Sequence, residues 1–431
     1  GAIIGGFTGY KIGIHKKIKL IQKAGNSSEQ NQTIELNGES DDTNTSYNVN
    51  VNMEQKAKNN AKQTQIGGVE EVNQLQKAGK DSQQIQIGNV IINSAGITEE
   101  RARAVFNEMI PQALANYTEE AQKIATERVN KLEERIMPQI NQVEGLLPAF
   151  ADPAFQVLLR KAQQKAAITE RENDYDLLTE LLVCHVQKGN DRKNRAGIVK
   201  AVDIIDTIDN DALCALTIAF VLDNFWPATG NAKEGIEVLS QMYNALIYES
   251  LPSNLNWLDH LDILGVIRIT PFSQMNKIED IFTGRFDGYV SVGIKKGTEE
   301  YESALQIIQS IGLNKNILVD NIFLDDYVRL EIGNLDDINS LSIFNNLGTR
   351  SINQREIEAL RDVINLYEKN VDLQNKVKER FMNLIDEHEP LKTLQEWWNS
   401  ISGAFSITGV GKIIAYINAK RCIPELPDIL E

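Results

Sequence analysis

Residues 212–225 read ALCALTIAFVLDNF, and this almost unbroken apolar run decides the fold of the chain. A strand of that length is unusual, whereas a helix that is apolar all round has to be enclosed by other elements. The flanking segments each carry one apolar stripe at helical spacing, so they can cover it. The sequence therefore predicts a helical bundle of about five elements over residues 146–255, with this run at its centre. The covering stripes are Phe155, Leu158, Leu159 and Ala162; Leu177, Leu178, Leu181 and Leu182; Ile198, Val202, Ile205 and Ile208; and Val238, Leu239, Met242, Leu246 and Ile247.

The chain changes character downstream of this bundle. Residues 256–348 alternate short apolar runs with turn signals, which predicts a small α/β region. Residues 349–431 return to helical spacing, and the stretch from Ser351 to Gln354 is expected to form a capping box that opens the first helix. The fold class is therefore mainly α with a small α/β portion. The strands expected in the α/β region are 288–294, 317–319, 322–324 and 327–332, and the helix expected there is 299–311.

Two kinds of segment precede the bundle. Residues 95–145 contain two amphipathic patterns separated near residues 111–116, which predicts a helical stalk or oligomerisation segment. Residues 21–94 are rich in Asn and Gln and poor in aromatic residues. Such a composition is typical of a chain that is disordered or that forms short strands with a tendency to cross-β stacking.

One polar phrase occurs three times in this Gln/Asn-rich segment, beginning at Gln22, Gln55 and Gln76. Each copy starts Gln-Lys-Ala and ends Gln-x-Gln, and the last two copies add Ile-Gly. A single copy has too little apolar surface to fold alone, so the repetition predicts stacking of copies. Alternation would place glutamines on one face of a strand and isoleucines on the other. The residues predicted to mediate self-association are Gln30, Gln32, Gln63, Gln65, Ile66, Gly67, Gln84, Ile85, Gln86, Ile87 and Gly88.

Two other interpretations of the repeats stay open at this stage. A polar tether without structure would have the same composition, and a local β-solenoid would have the same alternation without any role in signalling.

The first residues carry glycine at every fourth position, at Gly1, Gly5, Gly9 and Gly13. On a helix these fall on one face, where small residues let transmembrane helices approach closely. The run is too short to span a bilayer alone, but the basic cluster over residues 15–23 is typical of the cytoplasmic side. We therefore expect residues 1–20 to be the end of a membrane anchor in the bacterial inner membrane, with the body facing the cytoplasm. A flexible leader, the cut end of a signal sequence, and a cytoplasmic location remain alternatives.

Composition excludes several classes of function. The formal net charge is −16 and the pI is near 4.9, which argues against binding of a nucleic-acid backbone. The three cysteines are widely separated and lie mostly among apolar residues, as expected for reduced thiols in the cytoplasm. No spacing among them and the four histidines matches a zinc site, so neither a metal nor a cofactor is predicted.

Three short motifs contain residue types that occur in active sites, but none of them has the full pattern that the chemistry requires. Residues 409–412, Gly-Val-Gly-Lys, lack the glycine spacing, the following hydroxyl residue and the preceding apolar strand of a phosphate loop, so a helix start packed on Trp397 is expected. Cys184 and His185 are adjacent, and neighbouring residues of a helix point about 100° apart, so they cannot form a nucleophile–base pair.

His260 lies in the densest group of polar residues in the body, between Asp259 and Asp262. It could serve as a general base held by a carboxylate. However, no nucleophile or metal ligand accompanies it, and a capped helix leading to a strand explains the pattern as well. No residue is therefore predicted to be catalytic.

Several stretches together resemble a family of uncharacterised bacterial proteins called the LPO/Vpar type. They are the Gln-Lys-Ala-Gly repeat and residues 96–103, 257–265, 288–294 and 408–421. The resemblance covers about residues 75 to 431 and implies a bacterial origin and a shared body, but it supplies no catalytic residue and no substrate. Separately, residues 85–88, Ile-Gln-Ile-Gly, resemble the core tetrad of amyloid-type homotypic interaction motifs in animal necroptosis adaptors and related bacterial signalling proteins.

The expected function is that of a membrane-tethered bacterial interaction or signalling protein, with phage defence or a stress response as its setting. Its expected partners are further copies of itself, membrane lipid at the N-terminus and a protein not identified by the sequence. Two alternatives are a pore-forming effector that uses the glycine face, and an enzyme that uses the region around His260.

Overall fold

The structure is a computed structural model, and it describes residues 2–4, 17–24, 29–33, 50–57, 62–67, 71–77, 83–88, 97–189, 191–270, 272–345 and 348–429. The chain divides into two compact units. One unit, which we call the body, comprises Gly1–Phe7 and Ile97–Glu431, and the other, the repeat unit, comprises Thr8–Gly96.

The body is mainly helical, with short strands, and this confirms the predicted fold class. Its helices are α1 Glu99–Ala113, α2 Glu119–Ile136, α3 Leu146–Ala149, α4 Pro153–Ile168, α5 Glu172–Lys188, α6 Arg192–Ile204, α7 Asn210–Asn224, α8 Ala232–Leu246, α9 Asn256–Ile263, α10 Ile278–Arg285, α11 Glu299–Ser310, α12 Gln354–Asn365, α13 Val371–Asp386, α14 Glu389–Ser400 and α15 Gly409–Cys422. Its strands are β1 Ala2–Ile4, β8 Phe225–Pro227, β9 Ile267–Thr270, β10 Ile294–Lys295, β11 Leu318–Asp320, β12 Tyr327–Leu330, β13 Ser342–Asn345, β14 Gly348–Ser351 and β15 Ala404–Ile407.

Helix α7 lies at the centre of the body. Every residue from Ala212 to Leu222 is buried, so the helix has no solvent-exposed face over that length. Helices α15, α8 and α9 pack against it. The Asn418 side chain on α15 donates a hydrogen bond of 2.8 Å to Thr217 Oγ1, which itself donates to the carbonyl oxygen of Leu213 within α7, so the buried polar groups are paired. The apolar run therefore forms the predicted central helix.

Helices α1 and α2, in the segment that the sequence predicts to be a stalk, contribute to this same core. Phe106, Val129 and Leu132 are fully buried, and both helices pack on α4. The buried Gln163 of α4 donates a hydrogen bond of 2.9 Å to the carbonyl oxygen of Phe106. Burial on this scale joins residues 97–136 to the bundle rather than leaving them as an isolated rod.

The small α/β portion has its own apolar core, built from β10, β11, β12, α11 and α12. Its sheet has the order β10-β12-β11, and both pairs are antiparallel. Arg329 on β12 is buried and donates hydrogen bonds to the carbonyl oxygens of Leu330, Ile332 and Gly230. The bond to Gly230 connects this core to the loop that follows β8.

Two predicted strands of this region are wrong. Only Ile294 of the predicted strand 288–294 lies in a strand, because the Tyr289 and Val290 amides donate to the carbonyl oxygen of Phe286 and so form a turn. Residues 322–324 form a turn because the Asn321 side chain accepts a hydrogen bond from the Phe323 amide and donates to Ser291 and Val292.

Three other predictions for this region are confirmed, and a fourth is displaced along the chain. Strands β11 and β12 and helix α11 occur where they are predicted, within a few residues. The predicted capping box is displaced by two residues: Asn353 caps α12 and pairs reciprocally with Glu356, whose carboxylate accepts a hydrogen bond of 2.8 Å from the Asn353 amide.

Among the described residues, no helix is long and apolar enough to cross a bilayer.

The ion pair between Arg171 and Asp174 allows a test of how much such contacts stabilise the bundle. Arg171 donates to Asp174, which is 1% exposed, and also to the carbonyl oxygens of Ile205 and Ile208. We expect Arg171→Ala to lower the free energy of unfolding by about 3 kcal/mol, because it leaves a buried carboxylate without its cation. Urea titration followed by circular dichroism measures this.

The matched control is Arg355→Ala, since Arg355 is exposed on α12 and makes no ion pair with the described residues. It should change the free energy of unfolding by less than about 0.5 kcal/mol. Equal losses in the two variants would show that the Arg171 contacts do not stabilise the fold.

Candidate functional site

The repeat unit consists of two three-stranded parallel sheets. Its strands are β2 Lys17–Ala24, β3 Glu29–Thr33, β4 Asn50–Ala57, β5 Lys62–Gly67, β6 Glu71–Lys77 and β7 Gln83–Gly88. One sheet has the order β2-β4-β6 and the other β3-β5-β7, so each copy of the phrase contributes to both sheets. Consecutive copies are therefore neighbours in both sheets, the arrangement of a stacked repeat.

The pairing register aligns like residues of successive copies. In the second sheet Gln63 pairs with Gln30 on one side and Gln84 on the other. Gln65 pairs with Gln32 and Gln86 in the same way, and the Ile-Gly of β5 pairs with the Ile-Gly of β7. The eleven residues predicted for self-association thus lie on β3, β5 and β7, at matching register positions except that Ile85 pairs with Thr64 and Ile66 pairs with Thr33.

The strand order also defines where the stack ends. In the described strands, the first copy supplies one terminal strand of each sheet, β2 and β3, and the third copy supplies the other, β6 and β7. A terminal strand presents backbone N–H and C=O groups that no neighbouring strand uses.

The predicted glycine face lies outside the described part of the chain. Gly1, Gly5, Gly9 and Gly13 are not among the described residues, so the membrane anchor stays a prediction. Between the first two of these glycines, Ala2–Ile4 form strand β1, which pairs in parallel with Phe225–Pro227. Ile3 and Ile4 are β-branched, and such residues favour strands over helices.

His260 has a structural role, because the lone pair of its Nε2 is used in a hydrogen bond. Its Nε2 accepts a hydrogen bond of 3.3 Å from the Asp209 amide, at the residue that precedes α7. The Asp209 carboxylate lies 4.0 Å from the same nitrogen. The acceptor role leaves Nε2 occupied, so the arrangement is that of a helix cap.

Cys184 and His185 are not arranged for nucleophilic chemistry. Burial raises the pKa of the Cys184 thiol to about 11, so the thiol stays protonated at neutral pH. Burial also lowers the pKa of His185, whose ring lies 6.3 Å from that of Phe155. Within the described ranges, no three His, Cys, Asp or Glu residues are grouped so that they could hold a metal ion.

The motif at Gly409 begins helix α15, as predicted, with Thr408 as its N-cap. A strand does precede it: β15 ends at Ile407 and pairs in antiparallel fashion with β9, which corrects the expectation that no strand is present. The close packing partner is Val266, because a Cβ atom at Gly411 would lie 2.1 Å from its oxygen. The alternating sequence Ala-Phe-Ser-Ile at 404–407 is the signal that could have identified this strand.

Comparison with known proteins places the body in a family. Residues 96–428 match a protein-family model described as ":-like". The chain belongs to this family. The matched range contains α1 to α15 and leaves out β2 to β7, so the family is defined by the helical body and not by the repeats. No curated protein and no solved structure matches the chain significantly.

The thiol environments lead to a labelling prediction. At pH 8 a thiol of pKa about 11 contains about 100-fold less thiolate than one of pKa 9, because each pKa unit is a factor of ten. We expect iodoacetamide to modify Cys184 at least about 100-fold more slowly in the native protein than in urea, and mass spectrometry of peptides measures both rates. A native rate equal to the unfolded rate would contradict the burial of Cys184.

Proposed function

We propose that this chain is a bacterial interaction protein that self-associates through its N-terminal repeats while its helical body recruits a partner. One observation carries the proposal: three copies of one phrase pair in parallel and in register within a single chain. Because each copy pairs with the next copy of its own chain, it can form the same backbone hydrogen bonds with a copy on another chain. The third copy of one chain can therefore pair with the first copy of the next.

Such an interface is heterologous, because it joins two different ends of the same stack. Interfaces of this type do not close by symmetry, so they can propagate from chain to chain. In-register pairing of glutamine on glutamine is also the arrangement that supports amide ladders in cross-β assemblies. The resemblance of residues 85–88 to amyloid-type interaction motifs agrees with this chemistry.

The membrane tether is the second part of the proposal. Six short strands per chain provide few contacts, so association is weak unless chains are held at high local concentration. Attachment to a bilayer through residues 1–20 would supply that concentration. The basic residues between His15 and Lys23 support it, since Lys and Arg near a membrane are attracted by anionic lipid.

The body is proposed to recognise a partner rather than to catalyse a reaction. Its family supplies no activity to transfer, and the motifs at Cys184, His260 and Gly409 are explained by burial or by helix capping. The resemblance to the LPO/Vpar type is consistent with this division between a shared body and added repeats. A signalling role in stress response or phage defence fits a body brought together by its neighbours.

The central strand β5 offers a sharp test of the repeats. Gln65→Pro removes a backbone donor from the strand that both neighbours pair with, whereas Gln65→Thr keeps the donor and favours strands. We expect the proline variant to associate at least about tenfold more weakly, because a broken ladder costs about 1.4 kcal/mol or more. Sedimentation velocity over a range of concentrations measures association of the full chain.

The threonine variant should associate like the parent chain. Replacement of residues 22–94 by a flexible Gly/Ser linker of equal length should leave a monomer. An unchanged oligomer in the linker variant would refute the proposal, because association would then come from another part of the chain.

The membrane tether has its own test. Gln substitutions at Lys16, Lys17 and Lys19 should weaken co-sedimentation with phosphatidylglycerol-rich vesicles by roughly fivefold per lysine, since each is worth about 1 kcal/mol near an anionic surface. The control carries Gln at Lys376, Lys378 and Lys392, which are exposed on α13 and α14. If both triple variants bind as the parent does, the basic cluster is not a membrane contact.

A further inference from the structure

A cavity of about 520 Å³ lies between α6, β9 and the start of α15. Lys193 and Gly197 line it from α6, Arg268 lines it from β9, and Gly409 and Lys412 line it from α15. A cavity of this volume is within the range that accommodates small-molecule ligands. No part of the proposed self-association requires it.

Three cationic side chains from three separate elements meet at this cavity, and their charge is poorly neutralised. Lys193 and Lys412 form no ion pair with the described residues, and both are exposed. The nearest carboxylate to Arg268 is that of Asp262, whose Oδ1 lies 3.7 Å from Nη1. Arg268 therefore has a carboxylate partner, but the two lysines do not, and in a chain with a formal net charge of −16 this uncompensated positive charge favours an anionic ligand.

One further acidic group faces this region. Asp223, on α7, is close enough to Lys412 for the lysine to lower the pKa of its carboxyl group, although local burial has the larger, opposite effect. The described residues include no ion pair between Asp223 and Lys412, so Lys412 keeps hydrogen-bond donors for a ligand.

Backbone donors face the same space. The Thr408 amide bonds to Val266, and the Gly411 amide bonds to Thr408 Oγ1, but the Gly409 and Val410 amides have no acceptor among the described residues. Gly409 borders open space, since a Cβ atom built there would meet nothing within 4 Å. Free amides beside lysine and arginine provide the donor set that phosphate oxygens require.

We propose that this cavity binds the phosphate or diphosphate group of a small ligand, held by Lys193, Arg268, Lys412 and the Gly409 and Val410 amides. Arg268 Nη1 already donates to the carbonyl oxygen of Ile267 at 2.9 Å, which leaves Nε and Nη2 as donors for phosphate oxygens, and each lysine supplies a compact positive charge. The cavity is larger than a phosphate group, so the rest of the ligand also has room. No covalent step is involved.

The test is calorimetric titration of the full chain with inorganic pyrophosphate at low ionic strength. Lys412→Gln removes one cation, and Gly409→Pro removes one backbone donor. Proline is tolerated at the first position of a helix, and Thr408, at φ −74° and ψ 170°, already has the conformation required before proline. We expect each substitution to weaken binding by about tenfold.

Matched controls separate ligand binding from general charge and folding effects. Gly409→Ala fills the same open space but keeps the amide, and Lys378→Gln removes an exposed lysine of α13 outside the cavity. Both should bind pyrophosphate within about twofold of the parent chain. Thermal unfolding of all four variants shows that each one is folded.

The phosphate group could belong to a soluble molecule or to a lipid headgroup, so a second arm uses vesicles that contain phosphatidic acid. Pyrophosphate binding with the expected variant pattern supports a soluble ligand. Binding to these vesicles alone, with the same pattern, supports the same site with a lipid source. If the parent chain binds neither probe, or if the controls lose as much affinity as the cavity variants, the proposal is overturned.

Discussion

The burial of α7 on every side is the constraint on which the body depends. A helix without a polar face is stable only when neighbours cover its whole circumference, so α8, α9 and α15 have to pack around it. The last helix, α15, is therefore drawn to the centre, where Asn418 bonds to Thr217 of α7 and to the Tyr248 hydroxyl. Helix α15 also packs on α5, α6 and α8, so it joins several helices of the body to α7.

Hydrogen bonds of buried charged side chains also stabilise the body. Arg171 bonds to Asp174 and to two carbonyl oxygens that precede α7, and burial raises the pKa of Asp174 while the neighbouring Thr169 and Arg171 oppose that rise. Arg329 has only carbonyl oxygens as hydrogen-bond partners, and burial lowers its pKa. Buried cations are costly to leave unsatisfied, so the Arg171 bonds stabilise the bundle and the bond from Arg329 to Gly230 ties the α/β portion to it.

The two proposed activities use different physics. Stacking of repeats depends on backbone ladders at the ends of β2-β4-β6 and β3-β5-β7, and it is sensitive to a single missing donor. Anion binding depends on charge collected at the start of α15, and it is sensitive to ionic strength. The range that matches the family model, residues 96–428, contains the residues that line the cavity and leaves out the repeats.

The sequence by itself determined the helical class, the central position of residues 212–225 and the alternation of the repeats, because these depend on local periodicity and composition. It did not determine segment 288–293 or residues 322–324, since an apolar run reads alike in a strand and in a buried turn, and the contacts of Gly288 and Asn321 come from distant residues. The sequence also did not predict the cavity that we propose to bind phosphate. Lys193, Arg268 and Lys412 are far apart in the chain, and only the packing of α6, β9 and α15 brings their charges together.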